Sequence, residues 1–184
     1  YTGGTALLGG DTTLRDNAAL PMTSAPIEIN QARLLLRNND NLQTQIDNRV
    51  SDTAAITLRG GTIDVAGRIS TAATETMGAL TVLEGANTIT STTGGGTITS
   101  ATLTFASLTR SAGATINFTG SSALGAIGNL PKILFTTPLP TVGTGALGAW
   151  AIANSTDYAG YNAANGVGVA GTGGFVGYTP DFGS

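Results

Sequence analysis

Carboxylates and arginines that could carry out acid–base chemistry are gathered between residues 40 and 68. The acidic candidates are Asp40, Asp47, Asp52 and Asp64, and the basic residues near them are Arg49, Arg59 and Arg68. Two or three carboxylates on adjacent turns of a β-helix, with a basic partner, could cleave a polysaccharide. None of these aspartates forms a D-D or D-x-D pair, and charged side chains on a solenoid usually point into solvent. We therefore predict no catalytic residue and no enzymatic activity, with a carbohydrate-active β-helix as the alternative.

Residue types that many other active sites require are missing from the sequence. It contains no histidine and no cysteine, which excludes Ser-His-Asp and Cys-His catalysis and the common zinc and haem sites. Two G-x-G-x-x-G matches, at 143–148 and 166–171, lack the flanking strand and helix of a dinucleotide site. The glycine turns are followed by Ile and not by the Gly-x-Asp of calcium-binding repeats. The sequence predicts no cofactor and no metal ion.

Charge is sparse in this chain and is not clustered. Charged residues make up 10% of the sequence and the formal net charge is −3. The basic residues form no face for nucleic-acid phosphates, so no nucleic-acid partner is predicted. No run of eighteen apolar residues occurs, and none of the chain is predicted to span a membrane as a helix. The uncharged Thr, Ser, Asn and Gly surface of the second half favours an extracellular protein.

Short apolar segments separated by glycine recur along the chain. The stretch "ITLRGGTIDVAG" (56–67) alternates apolar and small polar residues around a Gly-Gly pair, and related patterns occur at 88–105 and 110–120. Ile, Val and Thr favour strands, whereas Gly takes the positive φ that a tight corner needs. Strands are predicted at 5–8, 26–37, 54–58, 62–67, 79–83, 87–90, 97–105, 114–118, 132–136 and 149–153.

This succession of strand, glycine and strand predicts an all-β parallel β-solenoid, right-handed by the crossover rule, with under about 10% helix. At about 20 residues per turn, the chain would make about eight or nine turns and a rod about 40 Å long. An antiparallel β-sandwich is the second choice, because short strands with turn signals suit it too. Residues 1–130 are predicted to form the solenoid repeat region, and residues 131–184 a Gly- and aromatic-rich terminal element of the same domain.

The stretch 29–50 carries two conflicting signals. Leu42, Ile46 and Val50 have helical spacing, but the run Asn38-Asn39-Asp40-Asn41 disfavours a helix because Asn and Asp compete for backbone hydrogen bonds. We predict two strands around an asparagine turn, with a helix as the alternative.

Aromatic residues are concentrated near the end of the chain: Trp150, Tyr158, Tyr161, Phe175, Tyr178 and Phe182. They could stack on sugars, or form a hydrophobic terminal cap or subunit contact, and we favour the cap or contact. Both ends of the predicted solenoid lack charged blocking residues, which indicates either a piece of a longer array or ends that the next copy covers. Phe175, Tyr178 and Phe182 are the predicted intersubunit contact, and such a head-to-tail contact propagates as a fibre.

Several stretches together resemble the autotransporter-associated β-strand repeat proteins, very long surface proteins of planctomycete-like and related bacteria. They are "YTGGT" (1–5), "NRVSDTAAITLRGGTIDVAG" (48–67), "ETMGALTVLEGANTIT" (75–90), "LTRSAGATINFTG" (108–120) and "LGAWAIANSTDYAGYNAANGVGV" (147–169). The resemblance implies a secreted β-helix displayed as a stalk, adhesin or fibre, and it implies no catalytic residues. A whole family member is expected to carry a leader and a membrane-anchoring barrel, and neither is predicted from residues 1–184.

Composition and resemblance together predict a structural protein outside the cell or on the bacterial cell surface. Its expected role is the scaffold of a stalk, an adhesin or a self-assembling filament. The expected partners are other copies of the chain, in a head-to-tail homopolymer or a longer repeat array, and surface polysaccharide.

Overall fold

Stacked β-strands build the protein, as the computed structural model shows for residues 2–39, 45–97, 100–128, 130–142 and 145–170. Those ranges contain fourteen strands and no helix. The strands are β1 (Thr5–Leu14), β2 (Ile27–Arg37), β3 (Ile56–Arg59), β4 (Thr62–Ala66), β5 (Ala73–Met77), β6 (Leu80–Glu84), β7 (Ala86–Thr92), β8 (Ala101–Phe105), β9 (Leu108–Arg110), β10 (Thr115–Gly120), β11 (Pro131–Phe135), β12 (Ala151–Ala153), β13 (Asp157–Asn162) and β14 (Gly166–Val169).

Three faces of parallel strands run along the molecule. The first halves of β1 and β2 continue into β3, β6 and β9 to form the first face. Their second halves continue into β4, β7, β10 and β12 to form the second face. The third face consists of β5, β8 and β11. The predicted parallel β-solenoid is therefore confirmed, the sandwich is not the fold, and the right-handed winding stays a prediction.

The solenoid makes about four turns, so the prediction of eight or nine turns was wrong. Leu14, Leu36, Val65 and Ser91 occupy one position of the second face on successive turns, which places 22 to 29 residues in a turn. Each complete turn has three short strands and three corners, and the corners use more residues than the sequence pattern suggested.

Residues with positive φ form the corner between the first and second faces. Gly60 and Gly85 occupy it on adjacent turns with φ of 65° and 73°, and Gln31 takes φ of 48° on the turn before. A left-handed backbone is easily reached by glycine and costs a side-chain-bearing residue about 1–2 kcal/mol. The prediction that "GGTIDV" is a corner with the strand leaving it is confirmed.

Inward-facing side chains stack into one core that runs through the turns. Leu34, Ile63, Ile89, Phe118 and Ala153 lie in register on successive strands of the second face, and each is fully buried. Burying one of the larger of these side chains stabilises the folded state by about 1.5–3 kcal/mol. The alternation of buried and exposed residues along each strand is thus the pattern that fixes its register.

Between residues 29 and 50 the structure departs from the sequence prediction. The first predicted strand is confirmed as β2, but residues 45–50 do not form a strand. Instead, Val50 is buried in the core and its backbone N–H donates to the side chain of Glu75. Residues 40–44, which include Asp40, lie outside the described residues.

A β-hairpin continues the second face beyond β12 at the C-terminal end of the described solenoid. β13 pairs antiparallel with β12, and β14 pairs antiparallel with β13. The Tyr161 hydroxyl accepts a hydrogen bond from the Phe135 backbone N–H (3.1 Å) and donates to the Phe135 carbonyl (2.9 Å). Tyr161 thereby binds both backbone groups of Phe135, the last residue of β11, so the cap interpretation of this aromatic residue fits the structure.

Candidate functional site

The aspartates considered for catalysis are dispersed over different faces of the solenoid. Asp64 lies in β4 and pairs with Arg37 on the neighbouring turn, with 2.8 Å between Oδ2 and Nη2. Its Oδ1 is buried and has no hydrogen-bond partner among the described residues. Asp47 lies in the segment between β2 and β3, where Oδ1 accepts hydrogen bonds from the Thr74 backbone N–H and the Gln45 amide. Asp52 is exposed in the turn that leads to β3.

Arg59 joins three turns of the first face through ion pairs. Its Nε lies 3.0 Å from Oε1 of Glu28 on the preceding turn, and its Nη1 lies 3.1 Å from Oε1 of Glu84 on the following turn. All three side chains are partly exposed, so each pair contributes at most about 1 kcal/mol. Arg68 lies between β4 and β5, and its backbone N–H donates to Gln45.

Arg49, predicted to lie on a solvated face, is fully buried instead. Its Nη1 donates to the Ala18 carbonyl (2.6 Å), its Nη2 to the Arg37 carbonyl (3.1 Å), and its Nε and Nη2 to Asn38 Oδ1 (3.2 and 2.8 Å). Carbonyl and amide oxygens therefore satisfy the guanidinium, where a buried cation without such acceptors would be strongly destabilising.

Glu75 completes this buried group from the following turn. Its carboxylate accepts the backbone N–H of Arg49 (3.1 Å to each oxygen) and of Val50 (2.9 Å). Glu75 is only 3% exposed, and it occupies an inward position of β5 in register with Leu103 of β8. We name Asn38, Arg49 and Glu75 the Arg49 cluster; it ties the loop after β1, the end of β2 and β5 together.

Burial shifts the protonation equilibria of both charged members of the Arg49 cluster. Burial raises the pKa of Glu75 from 4.5 to about 7, against the opposing effects of the two backbone hydrogen bonds and the charge of Arg49. Burial also lowers the pKa of Arg49, although the charges of Glu75 and Asp16 act in the other direction. Because the three side chains are at most 3% exposed, a dissolved substrate cannot reach them, and the arrangement is suited to holding turns together.

A second buried amide, which the sequence interpretation overlooked, links three turns at the first corner. Asn87 Oδ1 accepts the Gly61 backbone N–H (3.0 Å), and Nδ2 donates to the carbonyls of Glu84, Gly85 and Thr115 (3.0, 3.0 and 3.1 Å). The carbonyls of Glu84 and Gly85 also accept the backbone N–H groups of Gly60 and Thr115, so Asn87 adds a second donor to each of them. The sequence signal for this residue is its place two positions after the positive-φ corner at Gly85.

One aromatic side chain lines a small cavity near the C-terminal end. The cavity has a volume of about 150 Å³ and is bounded by Leu108, Arg110, Leu139, Pro140 and Trp150. The Arg110 guanidinium carbon lies 5.2 Å from the centre of the Trp150 ring, a cation–π arrangement. The ring also packs against the core.

Three predicted contact residues, Phe175, Tyr178 and Phe182, lie outside the described residues. Within the described ranges, no three acidic side chains come together in a way that could hold a metal ion. No helix in those ranges is long and apolar enough to cross a membrane.

Comparisons with protein-family models, with curated proteins and with solved structures find no match to this chain.

Proposed function

We propose that this protein is a structural β-solenoid scaffold of a bacterial surface stalk or adhesin and that it works outside the cell. The observation that carries the proposal is the use of polar side chains to fasten turn to turn. Arg59 joins Glu28 and Glu84, and Asn87 joins three turns. The Arg49 side chain binds the backbone of Ala18 and Arg37, and the Arg49 backbone binds Glu75 on the following turn. A rod fastened in this way resists extension, which is the requirement of a stalk.

The resemblance to autotransporter-associated repeat proteins supports a location at the bacterial surface. Its motifs coincide with the elements of the solenoid: "ITLRGGTIDVAG" contains β3, the corner at Gly60 and β4. The weakly charged surface of the second half suits crowded extracellular packing.

Antibodies raised against the purified chain test the location. On intact cells of the source bacterium they should label the surface, and external protease should remove the label while a cytoplasmic marker stays intact. Detection only after lysis, in the soluble fraction with that marker, would overturn the surface proposal.

We further propose that the protein does not cleave polysaccharides. Asp64 is held by Arg37, and Asp47 is held by the Thr74 N–H and Gln45, so these carboxylates serve contacts between turns. Incubation with acidic and neutral polysaccharides should release neither reducing ends nor unsaturated products. Product release that disappears in Asp47→Asn, Asp52→Asn or Asp64→Asn would establish the carbohydrate-active alternative.

A further inference from the structure

The two ends of the described solenoid differ in how they are finished. At the C-terminal end, the second face is finished by the β13–β14 hairpin, which pairs antiparallel with β12, and the Tyr161 hydroxyl binds the backbone of Phe135 at the end of β11. At the N-terminal end, β1 pairs with β2, and no other strand in the described ranges pairs with it. The outward side chains of β1, among them Ala6 and Thr13, are exposed. A ten-residue strand edge of this kind is a template for pairing with another chain.

The core is also incompletely covered at β1. Leu7 and Thr12 lie in register with Ile29 and Leu34, which are fully buried, yet both β1 residues remain partly exposed. Covering this end would bury apolar surface as well as pair backbone groups, and both effects favour association.

β1 has a symmetric shape that restricts what can cover it. Gly9 and Gly10, with φ of 90° and 71°, form its corner. On either side lie two arms of four residues, 5–8 on the first face and 11–14 on the second. Register with β2 places Thr5 and Leu7 inward on the first arm, and Thr12 and Leu14 inward on the second. Inward positions are thus odd-numbered before the corner and even-numbered after it.

We propose that two copies of the chain pair head to head through β1, as antiparallel strands related by a twofold axis through the Gly9–Gly10 corner. Residues 5–8 of one copy then lie opposite residues 11–14 of the other. Leu7 faces the partner's Thr12 and Thr5 faces the partner's Leu14, so inward residues meet inward residues and the two cores become continuous. Ala6 faces the partner's Thr13, and both are outward.

Because inward residues meet inward residues in this arrangement, a second copy of the chain is the partner that fits the free edge of β1. An antiparallel partner runs past β1 in the reverse direction, so its inward residues must lie opposite residues 5, 7, 12 and 14. In a second copy of β1, residues 14, 12, 7 and 5 take those positions, and all four point inward. A head-to-tail contact would have to continue the second face beyond β12, where the antiparallel β13–β14 hairpin interrupts the parallel ladder. A twofold contact closes after two copies, so the structure points to a discrete dimer in place of the fibre expected from the sequence. The inference depends on β1 and not on the proposed surface location.

Sedimentation of the full 184-residue chain over a range of concentrations tests the dimer. We expect a concentration-dependent species of twice the 18.3 kDa chain mass. A chain that stays at 18.3 kDa at every concentration, or that forms a series of larger species, would overturn the proposal.

A pair of double variants tests the antiparallel register. In Ala6→Lys with Thr13→Lys, like charges oppose each other at both symmetric contacts, and the dissociation constant should rise about tenfold or more. In Ala6→Lys with Thr13→Glu, opposite charges meet, and dimerisation should be kept. Both positions are exposed in the monomer, and circular dichroism should show an unchanged strand content in both variants.

Ile69→Lys with Ile127→Lys provides the control, because these side chains are 64% and 83% exposed away from β1. This variant should dimerise as the wild type does. Equal dissociation constants for the like-charge and opposite-charge variants would refute the head-to-head register.

Discussion

Asn87 shows at the scale of one residue how an amide side chain can add to the backbone hydrogen bonds at a corner. Alanine at this position leaves the Gly61 N–H and the carbonyls of Glu84, Gly85 and Thr115 without their side-chain partner. The carbonyls of Glu84 and Gly85 keep the backbone N–H groups of Gly60 and Thr115 as donors, so the cost falls mainly on the Gly61 N–H, and a buried group without its partner costs about 1–3 kcal/mol. We expect Asn87→Ala to lower the free energy of unfolding by about 3 kcal/mol in urea titrations.

Two further variants make the Asn87 measurement specific. Asn87→Asp should be no more stable than Asn87→Ala, because a carboxylate cannot donate to the three carbonyls. Asn117→Ala is the control, since this half-buried amide contacts Ser155 at the surface, and it should cost less than about 1 kcal/mol. Equal losses in Asn87→Ala and Asn117→Ala would contradict the role of Asn87.

Glu75 makes the stability of the solenoid depend on pH. Its pKa is about 7 in the folded protein against 4.5 ordinarily, so the folded state binds its proton more tightly than the unfolded chain does. The contribution is complete below pH 4.5 and is lost as the pH rises through about 7. Relative to Glu75→Gln, the wild type should lose on the order of 3 kcal/mol between these limits. Urea titrations of both proteins at four pH values measure this difference, and parallel pH profiles would contradict it.

Residue types in the sequence indicate the Arg49 cluster only in part. The segment "ATETM" (73–77) repeats "ATLTF" (101–105), and this repeat places Glu75 at the inward position of Leu103. That signal is present in the sequence, but our strand prediction overlooked the segment. The burial of Arg49 has no such signal, because its acceptors are the backbone carbonyls of Ala18 and Arg37, and their positions depend on the folded turns.

At the scale of the element, glycine is required at two adjacent positions of the first corner, Gly60 and Gly61, for two different physical reasons. Gly60 has φ of 65°, but a Cβ at this position would have room, since its nearest neighbour, the Gln31 side chain, would be 3.8 Å away. Gly61 has no positive φ, but a Cβ there would lie 2.6 Å from the Ile29 carbonyl oxygen on the preceding turn.

Alanine substitutions separate these two effects. Gly60→Ala should cost about 1 kcal/mol because of its left-handed backbone. Gly61→Ala should cost about 2–3 kcal/mol because it forces two turns apart. Thermal or urea unfolding of the two variants measures the difference. A larger loss in Gly60→Ala than in Gly61→Ala would show that close stacking is not what limits this corner.

Strands that carry their own apolar alternation were predictable from the sequence, and those that depend on neighbours were not. β2, β4 and β10 follow the predicted segments within two residues. β9 has only three residues, and none of them is fully buried; it is a strand because it pairs with β6. β13 and β14 contain glycine and tyrosine and form by pairing antiparallel at the end of the solenoid.

At the scale of the whole molecule, the β13–β14 hairpin should decide whether association stops. Val167 in β14 is fully buried, so Val167→Asp should release the hairpin by placing a charge in its packing. With both ends open, we expect species larger than those of the wild type by light scattering. Ile152→Asp, at an exposed position of β12, should keep the wild-type size. Unchanged size in Val167→Asp, with strand circular dichroism retained, would contradict a capping role.

The variation in turn length bears on how a gene for such a protein can grow. Turns of 22 and 29 residues stack on the same face without a change of register, because the difference is taken up between the strands. Each turn contacts mainly its neighbours and adds about 4.8 Å to the rod whatever its residue count. A duplicated DNA segment encoding one turn could therefore be inserted between two others, lengthening the rod by a fixed step while older turns keep their contacts.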